Sequence, residues 1–431
     1  MAGTDTVTLP PEWRLELGDD DLRAMAAALD DDIERGLRDE PGRDLALLPA
    51  WVGVPRKGAR GRVLCLDAGG THVRGATVTI DGEGATVGEV RHGRLPGTTG
   101  AVDRDGFFLE LARLLAPDAA RLRRIGFCFS YPAAVHPDGD AVLLRWTKEV
   151  KATGVEGARV GEGLCRGLEQ LGRRGPFRVV VLNDTVTTLI AATRDPQTAG
   201  CAGFVGLVVG TGTNMACLVP AARARTRAPT WRGGPLAFNL ESGNFRRFPR
   251  GTLDEQLAAV TRDPDRQWLE KAVSGQYLGQ LSRLALRDLA GRGAAPAALT
   301  RATAELGPPT GRAMSRIIAG ASPESAWEEW LDGHPDARAP VRAVMRALVT
   351  RSARLVAGGL ACLVARAAAA ARRPDAEVAV AAEGATFWGL PRYRELVEET
   401  LHRLTATPVR LVRIADANLR GAALAALGRR G

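Results

Sequence analysis

Between Asp19 and Leu37 apolar side chains recur at Leu22, Met25, Leu29, Ile33 and Leu37, with acids crowding the first turn. That spacing predicts an amphipathic helix whose charged start suits the helix dipole. After a linker rich in Pro, Gly and Arg over 52–61, short apolar runs broken by turn residues take over. They predict strands at 62–67, 73–80 and 85–92, arranged as an antiparallel meander. Further strands are expected at 124–129, 178–183, 204–209 and 214–219, with helical stretches between them. The second half, rich in Ala, Leu and Arg, reads mostly as helix until "EVAVAAEG" supplies one more strand running into a glycine.

One pattern occurs twice. "LCLDAGGTHV" (64–73) runs a strand into Asp67 and then Gly69, Gly70 and Thr71, and "GLVVGTGTNMACL" (206–218) runs another into Gly210, Thr211, Gly212 and Thr213. For either one alone, a hairpin that needs glycine for positive φ is a sufficient explanation. The other explanation is a phosphate held by backbone N–H groups, with the acid placed for a metal. Two such hairpins, one near the start of each half, are what a duplicated phosphate-clamping fold presents. A third glycine turn, "AAEGATF" at 381–387, comes late enough to meet the rest of a nucleotide.

Composition narrows the classes. With 431 residues, 45% of them apolar, the chain is long enough for two packed domains. The net charge of +9 comes from Arg and acids interleaved throughout, without an aromatic-studded basic stripe, which argues against nucleic acid. Lysine is confined to Lys57, Lys148, Lys151 and Lys271, so each surviving Lys invites a reason. The six cysteines are scattered without a C-x-x-C and read as buried free thiols of a reducing compartment. The apolar stretch "LVAGGLACLVARAAAAA" is interrupted by Arg366 and suits a buried helix, and the N-terminus lacks the apolar core of a signal peptide. A soluble cytoplasmic protein without a membrane partner is expected.

"LNDT" places Asn183 and Asp184 where a strand ends, the edge at which α/β proteins gather ligand-binding groups. A fixed carboxylate there can accept a hydroxyl proton; an Asn-Asp helix cap with Thr185 explains the same residues, and the two roles are compatible.

In order along the chain, "LDAGGTHVRG", "FSYPAAV", "RWTKEVKATGVEG", "LNDTVTTLIAA", "GLVVGTGTN", "NLESGNF", "QWLEKAVSGQYLGQL" and "DANLRGAAL" resemble the motifs of eukaryotic-type hexokinases, glucokinase included. The resemblance spans roughly 60–425 and implies an α/β fold of two ribonuclease-H-like domains flanking a cleft, as in the actin-like ATPase superfamily. It implies an N-terminal helix and linker over 1–59 packed on the large domain, a small domain over 60–183, a helix-rich large domain over 184–414, and a last helix, 415–431, returning to the small domain. The implied activity is transfer of the γ-phosphate of MgATP to the C6 hydroxyl of a hexose: glucose, with mannose or fructose as alternatives. The implied general base is Asp184, with Lys148 beside the transferred phosphate. Ser130, Thr147, Lys148, Asn183, Asn214, Glu241, Gln267 and Glu270 match the sugar-binding positions. Asp67, Gly69, Gly70, Thr71, Arg74, Gly210, Thr211, Gly212, Thr213 and Gly384 would surround the nucleotide, with Asp67 near Mg²⁺ through water. The chain departs from the family pattern at His72, Val135, Ser242 and Glu383-Gly384-Ala385, which bears on donor and hexose preference. A catalytically weak or inactive sugar sensor and a kinase with another sugar or phosphate donor are the alternatives, and the resemblance leaves monomer and dimer open.

Overall fold

The computed structural model describes residues 7–82, 84–146, 150–371, 373 and 376–428. The strands are β1 (Leu48–Gly53), β2 (Gly61–Ala68), β3 (His72–Ile80), β4 (Ala85–Val87), β5 (Arg91–Arg94), β6 (Arg124–Phe129), β7 (Ala133–Val135), β8 (Ala141–Leu143), β9 (Arg178–Leu182), β10 (Gly203–Val209), β11 (Thr213–Val219), β12 (Leu236–Asn239), β13 (Val378–Glu383) and β14 (Val409–Val412). The helices are α1 (Asp19–Leu37), α2 (Arg104–Leu115), α3 (Val160–Gln170), α4 (Asp184–Ala192), α5 (Thr252–Val260), α6 (Trp268–Val273), α7 (Gly275–Gly291), α8 (Ala298–Glu305), α9 (Gly311–Ala319), α10 (Ala326–Gly333), α11 (Arg338–Ala371), α12 (Ala385–Gly389), α13 (Tyr393–Leu404) and α14 (Ala417–Gly428).

Two sheets share one plan. In the first, β3 and β2 pair antiparallel and β6 and β9 follow in parallel, in the order β4-β3-β2-β6-β9. In the second, β12, β11 and β10 pair antiparallel, β13 and β14 follow in parallel, and β1 adds to β12, in the order β1-β12-β11-β10-β13-β14. The expected duplication is therefore present in the topology. The two glycine turns, β2 to β3 and β10 to β11, lie at the carboxyl ends of the parallel strands, where α/β sheets bind ligands.

Two expectations need correction. The stretch read as helix and linker before residue 60 also contains a strand, β1, whose Trp51 sits at φ 53° where the pairing with β12 shifts register. That is the signature of a bulge, which hides a strand from a period-two reading. The single strand expected over 85–92 is two: β4 pairs Val87 with Val78, and β5 pairs Arg91 with Gly75. Between them the Gly88 N–H donates to the Thr77 carbonyl at 2.9 Å, and the chain steps out of register.

Helices α4 and α14 lie between the sheets. Val63 and Cys65 of β2, Val186 and Leu189 of α4, Ala216 of β11, and Leu419 and Ala423 of α14 form one buried cluster. At the crossing of the two helices a Cβ on Gly421 would lie 1.9 Å from the Thr187 carbonyl oxygen, so only glycine permits the contact. The longest helix, α11, is long and apolar enough to cross a membrane by length and composition, and most of its apolar window is buried within the fold. Its Arg351 is 1% exposed and donates to Asp254 at 2.6 and 3.0 Å, so the buried charge is paired. All six cysteines are free thiols, with Cys65, Cys128, Cys217 and Cys362 buried.

Candidate active site

Seven of the side chains that the resemblance assigns to the sugar and the base line one cleft of about 190 Å³: Ser130, Asn183, Asp184, Asn214, Glu241, Gln267 and Glu270. That is smaller than the roughly 300–1,000 Å³ of a drug-sized site and suits a small polar molecule. Arg145, Asn244, Gln276 and Tyr277 add further polar groups, and the turn Thr211, Gly212 and Thr213 borders the same cleft. Thr147 and Lys148 lie outside the described residues; Trp146, just before them, packs edge-on against the Tyr131 ring at 4.8 Å.

β9 ends at Leu182 and α4 begins at Asp184, with Asn183 as its cap: Asn183 Oδ1 accepts the Thr185 N–H at 2.9 Å. Asp184 Oδ1 accepts from the same N–H at 2.7 Å and from the Thr185 hydroxyl at 3.2 Å. The capping role and a carboxylate lining the cleft thus coexist. Burial pushes the Asp184 carboxyl above the usual carboxylate range; hydrogen bonds from Ser130 and Thr185 oppose this, and the nearby charge of Asp67 adds to it.

Across the cleft, Glu241 and Gln267 both hold left-handed backbone, φ 54° and 56°. Non-glycine residues adopt that region at a cost that surrounding contacts must offset, and such strain concentrates at binding sites. Asn239 Nδ2 donates to Glu241 Oε1 at 2.8 Å, and Asn214 Nδ2 donates to Asn239 Oδ1 at 2.6 Å, so one amide orients the acid and is itself oriented. Asn214 Oδ1 accepts the N–H groups of Met215 and Ser242 at 2.8 and 3.1 Å. Burial pushes the Glu241 carboxyl upward, against the pull of Asn239 and Arg145. Glu270 Oε2 accepts the Thr213 N–H at 3.0 Å. The buried ammonium of Lys271 donates to the carbonyls of Asp263 and Pro264 at 2.6 and 3.4 Å, clamping the loop that delivers Gln267.

The glycine turns frame the other side. The Gly70 carbonyl accepts from the Tyr131 hydroxyl at 2.8 Å, and the Thr71 hydroxyl lies 2.9 Å from His72 Nδ1. The opposite turn is pinned at Gly210, whose carbonyl accepts from the Gly275 N–H at 2.8 Å and the Thr386 hydroxyl at 2.9 Å. Gly384, at φ 112°, packs so tightly on this turn that a Cβ would lie 2.2 Å from the Val209 carbonyl oxygen. Thr211 is exposed at the turn, Gly212 is partly buried and Thr213 is buried. The Thr213 hydroxyl bonds the Val208 carbonyl at 3.1 Å and its N–H bonds Glu270, so it braces the turn. A larger cavity of about 660 Å³ continues from Thr211 past Gly275 and Gly311 to Ala385, with room for a nucleoside.

Asp67 is 5% exposed. Its Oδ2 accepts from Arg74 at 2.7 and 3.2 Å, its Oδ1 accepts from Asn418 at 3.2 Å, and Arg74 also reaches Asp416 at 2.8 Å. A carboxylate held on both oxygens fits a hydrated Mg²⁺ better than direct ligation, and Mg²⁺ gives up its water reluctantly. Among the described residues no cluster of three His, Cys, Asp or Glu stands ready as a metal cage. Close by, burial pushes Glu383 up to about 7, against the charges of Arg413 and Arg74.

Asn239, Arg145, Asn418 and Tyr277 were not picked out as site residues. All four lie inside the motifs "NLESGNF", "RWTKEVKATGVEG", "DANLRGAAL" and "QWLEKAVSGQYLGQL", so the motifs were visible while the direction of each side chain was not.

A family model described as hexokinase matches residues 204–428, and a second matches residues 12–193. Hexokinase-2 of Candida albicans is 30% identical over 301 residues, 65% of this chain and 60% of that protein. Hexokinase-1 of Homo sapiens is 28% identical over 436 residues, 96% of this chain and 47% of that protein. The chain spans about half the length of the curated relatives it matches. Among solved structures, a hexokinase from Schistosoma mansoni complexed with glucose aligns with a TM-score of 0.76 at 25% identity, covering 96% of both chains. Another hexokinase crystal structure shares the fold with a TM-score of 0.78 at 23% identity. With one model matched over more than half of its length and a second over most of the rest, the chain belongs to the hexokinase family.

Proposed function

We propose that this chain is an ATP-dependent hexokinase that phosphorylates the C6 hydroxyl of a hexose, glucose foremost, with Asp184 as general base. The observation that carries this reading is the placement of Asp184 in one small cleft with Asn183, Asn214, Glu241, Gln267 and Glu270. Adjacent ring hydroxyls are recognised by such rigid carboxylates and amides. Bound through the ring, a hexose presents its primary hydroxyl to Asp184, which takes the proton as oxygen attacks the γ-phosphorus. Arg145 adds positive charge to the cleft, and the family resemblance gives Lys148 a role beside the transferred phosphate. The turns at Gly69–Thr71 and Gly210–Gly212 leave bare backbone for the phosphates, and the adjoining cavity takes the nucleoside. Asp67 would hold Mg²⁺ through water, and the ion would supply charge neutralisation for the phosphates. The relative complexed with glucose supports the sugar assignment, and family membership supports ATP as donor.

The test is coupled ADP release across a panel of hexoses and phosphate donors. Glucose-dependent turnover with MgATP is expected. ATP turnover without sugar would make the chain an ATPase, and sugar binding without turnover would make it a sensor.

A further inference from the structure

Contacts of α14 and of the residue just before it converge on the two acids of the proposed reaction. Asn418, in the first turn of α14, donates from Nδ2 to Asp67 Oδ1 at 3.2 Å, and its Oδ1 accepts from the Thr187 hydroxyl at 3.0 Å. The same hydroxyl lies 2.7 Å from the backbone carbonyl of Asp184, so its one proton is shared between the base's own peptide and the Asn418 amide. Asp416, two residues earlier and at φ 52°, holds the Arg74 guanidinium that pairs with Asp67. Three residues later Gly421 presses α14 onto the backbone of Thr187, which leaves the crossing no slack.

We infer that Asn418 is a positioning residue for phosphoryl transfer: its amide ties the carboxylate of Asp67, on the nucleotide side, to the helix turn that carries Asp184. The inference rests on the hexokinase reading. Its physical basis is that the two acids sit on different elements, β2 and α4, which are far apart in sequence. Phosphoryl transfer depends on alignment, and a displacement of about 1 Å can cost about 100-fold in rate. A primary amide suits the place because it donates at one end and accepts at the other. Aspartate of the same shape would set a second carboxylate against Asp67.

The experiment compares wild type with Asn418→Asp, Asn418→Ala, Thr187→Val and the double variant Asn418→Ala/Thr187→Val. Each is assayed for kcat and, by calorimetry without nucleotide, for glucose affinity. Asn418→Asp should lower kcat by about 100-fold while the glucose Kd stays within about twofold, because the cleft itself is untouched. The double variant should lose no more than the worse single one, since both break one tie. Unchanged kcat in Asn418→Asp would overturn the tie alone, as would losses that multiply in the double variant or a glucose affinity that falls in step with kcat. A wild-type chain that phosphorylates no hexose would overturn both the tie and the reading beneath it.

Discussion

The backbone N–H of Thr213 donates to Glu270 Oε2 at 3.0 Å, so an acid of the sugar cleft directly braces the turn that faces the phosphates. Among the described residues the Glu241 carboxylate takes its hydrogen bond from Asn239 instead. Glu270→Ala should therefore raise KM for both glucose and MgATP. Glu241→Gln should weaken glucose by about 1.5–3 kcal/mol, roughly 10- to 150-fold, while MgATP affinity measured without sugar hardly moves. Equal effects of the two substitutions on MgATP would contradict this division. Steady-state kinetics with each substrate varied in turn decides it.

The acid limb of catalysis follows from the setting of Asp184. Burial holds its carboxyl above the ordinary range, and only the ionised form accepts a proton. Activity is thus lost as pH falls through the raised value, at higher pH than for an exposed aspartate. Ser130 favours the ionised form by hydrogen bonding, so Ser130→Ala should move the acid limb of kcat/KM to still higher pH. A limb that stays put or moves to lower pH would sink this assignment.

Glu383 should leave its mark on stability. Its folded value of about 7 exceeds the 4.5 of the free side chain, so the folded state binds the proton more tightly. The carboxylate therefore costs nothing at pH 4, and the penalty grows as pH rises and is complete above 7, reaching on the order of 3 kcal/mol. Glu383→Gln should raise the melting temperature at pH 8 by roughly 2–4 °C and change it far less at pH 5. Calorimetric melts at the two pH values test the sign, and a variant less stable at pH 8 would reverse it.

Local pattern carried much of this fold. The acid-crowded helix over 19–37, both glycine hairpins and the strand before Gly384 were legible because each announces itself within about ten residues. β1 and β12 were not: one holds a bulge at Trp51, the other is four residues long, and they pair with each other although all the strands of the first sheet lie between them in sequence. The site divides in the same way. Asp184, Glu241, Gln267 and Glu270 sit at strand ends and helix starts where chemistry is expected, and they do converge. The brace on the Thr213 N–H comes from Glu270, 57 residues away, and of the two residues that hold Asp67 one, Asn418, lies 351 residues away. No local rhythm encodes partners at that separation.

The most direct measurement is turnover by Asp184→Asn, set beside its glucose affinity. The amide keeps the size of the side chain and can still accept from Thr185, so the fold and the sugar cleft should persist, with a glucose Kd near that of wild type. Without a proton acceptor, kcat should fall roughly 10²- to 10⁴-fold, equivalent to about 2.7–5.4 kcal/mol. Wild-type turnover in Asp184→Asn would show that another group takes the proton, and Asp184 would then be a helix cap and nothing more.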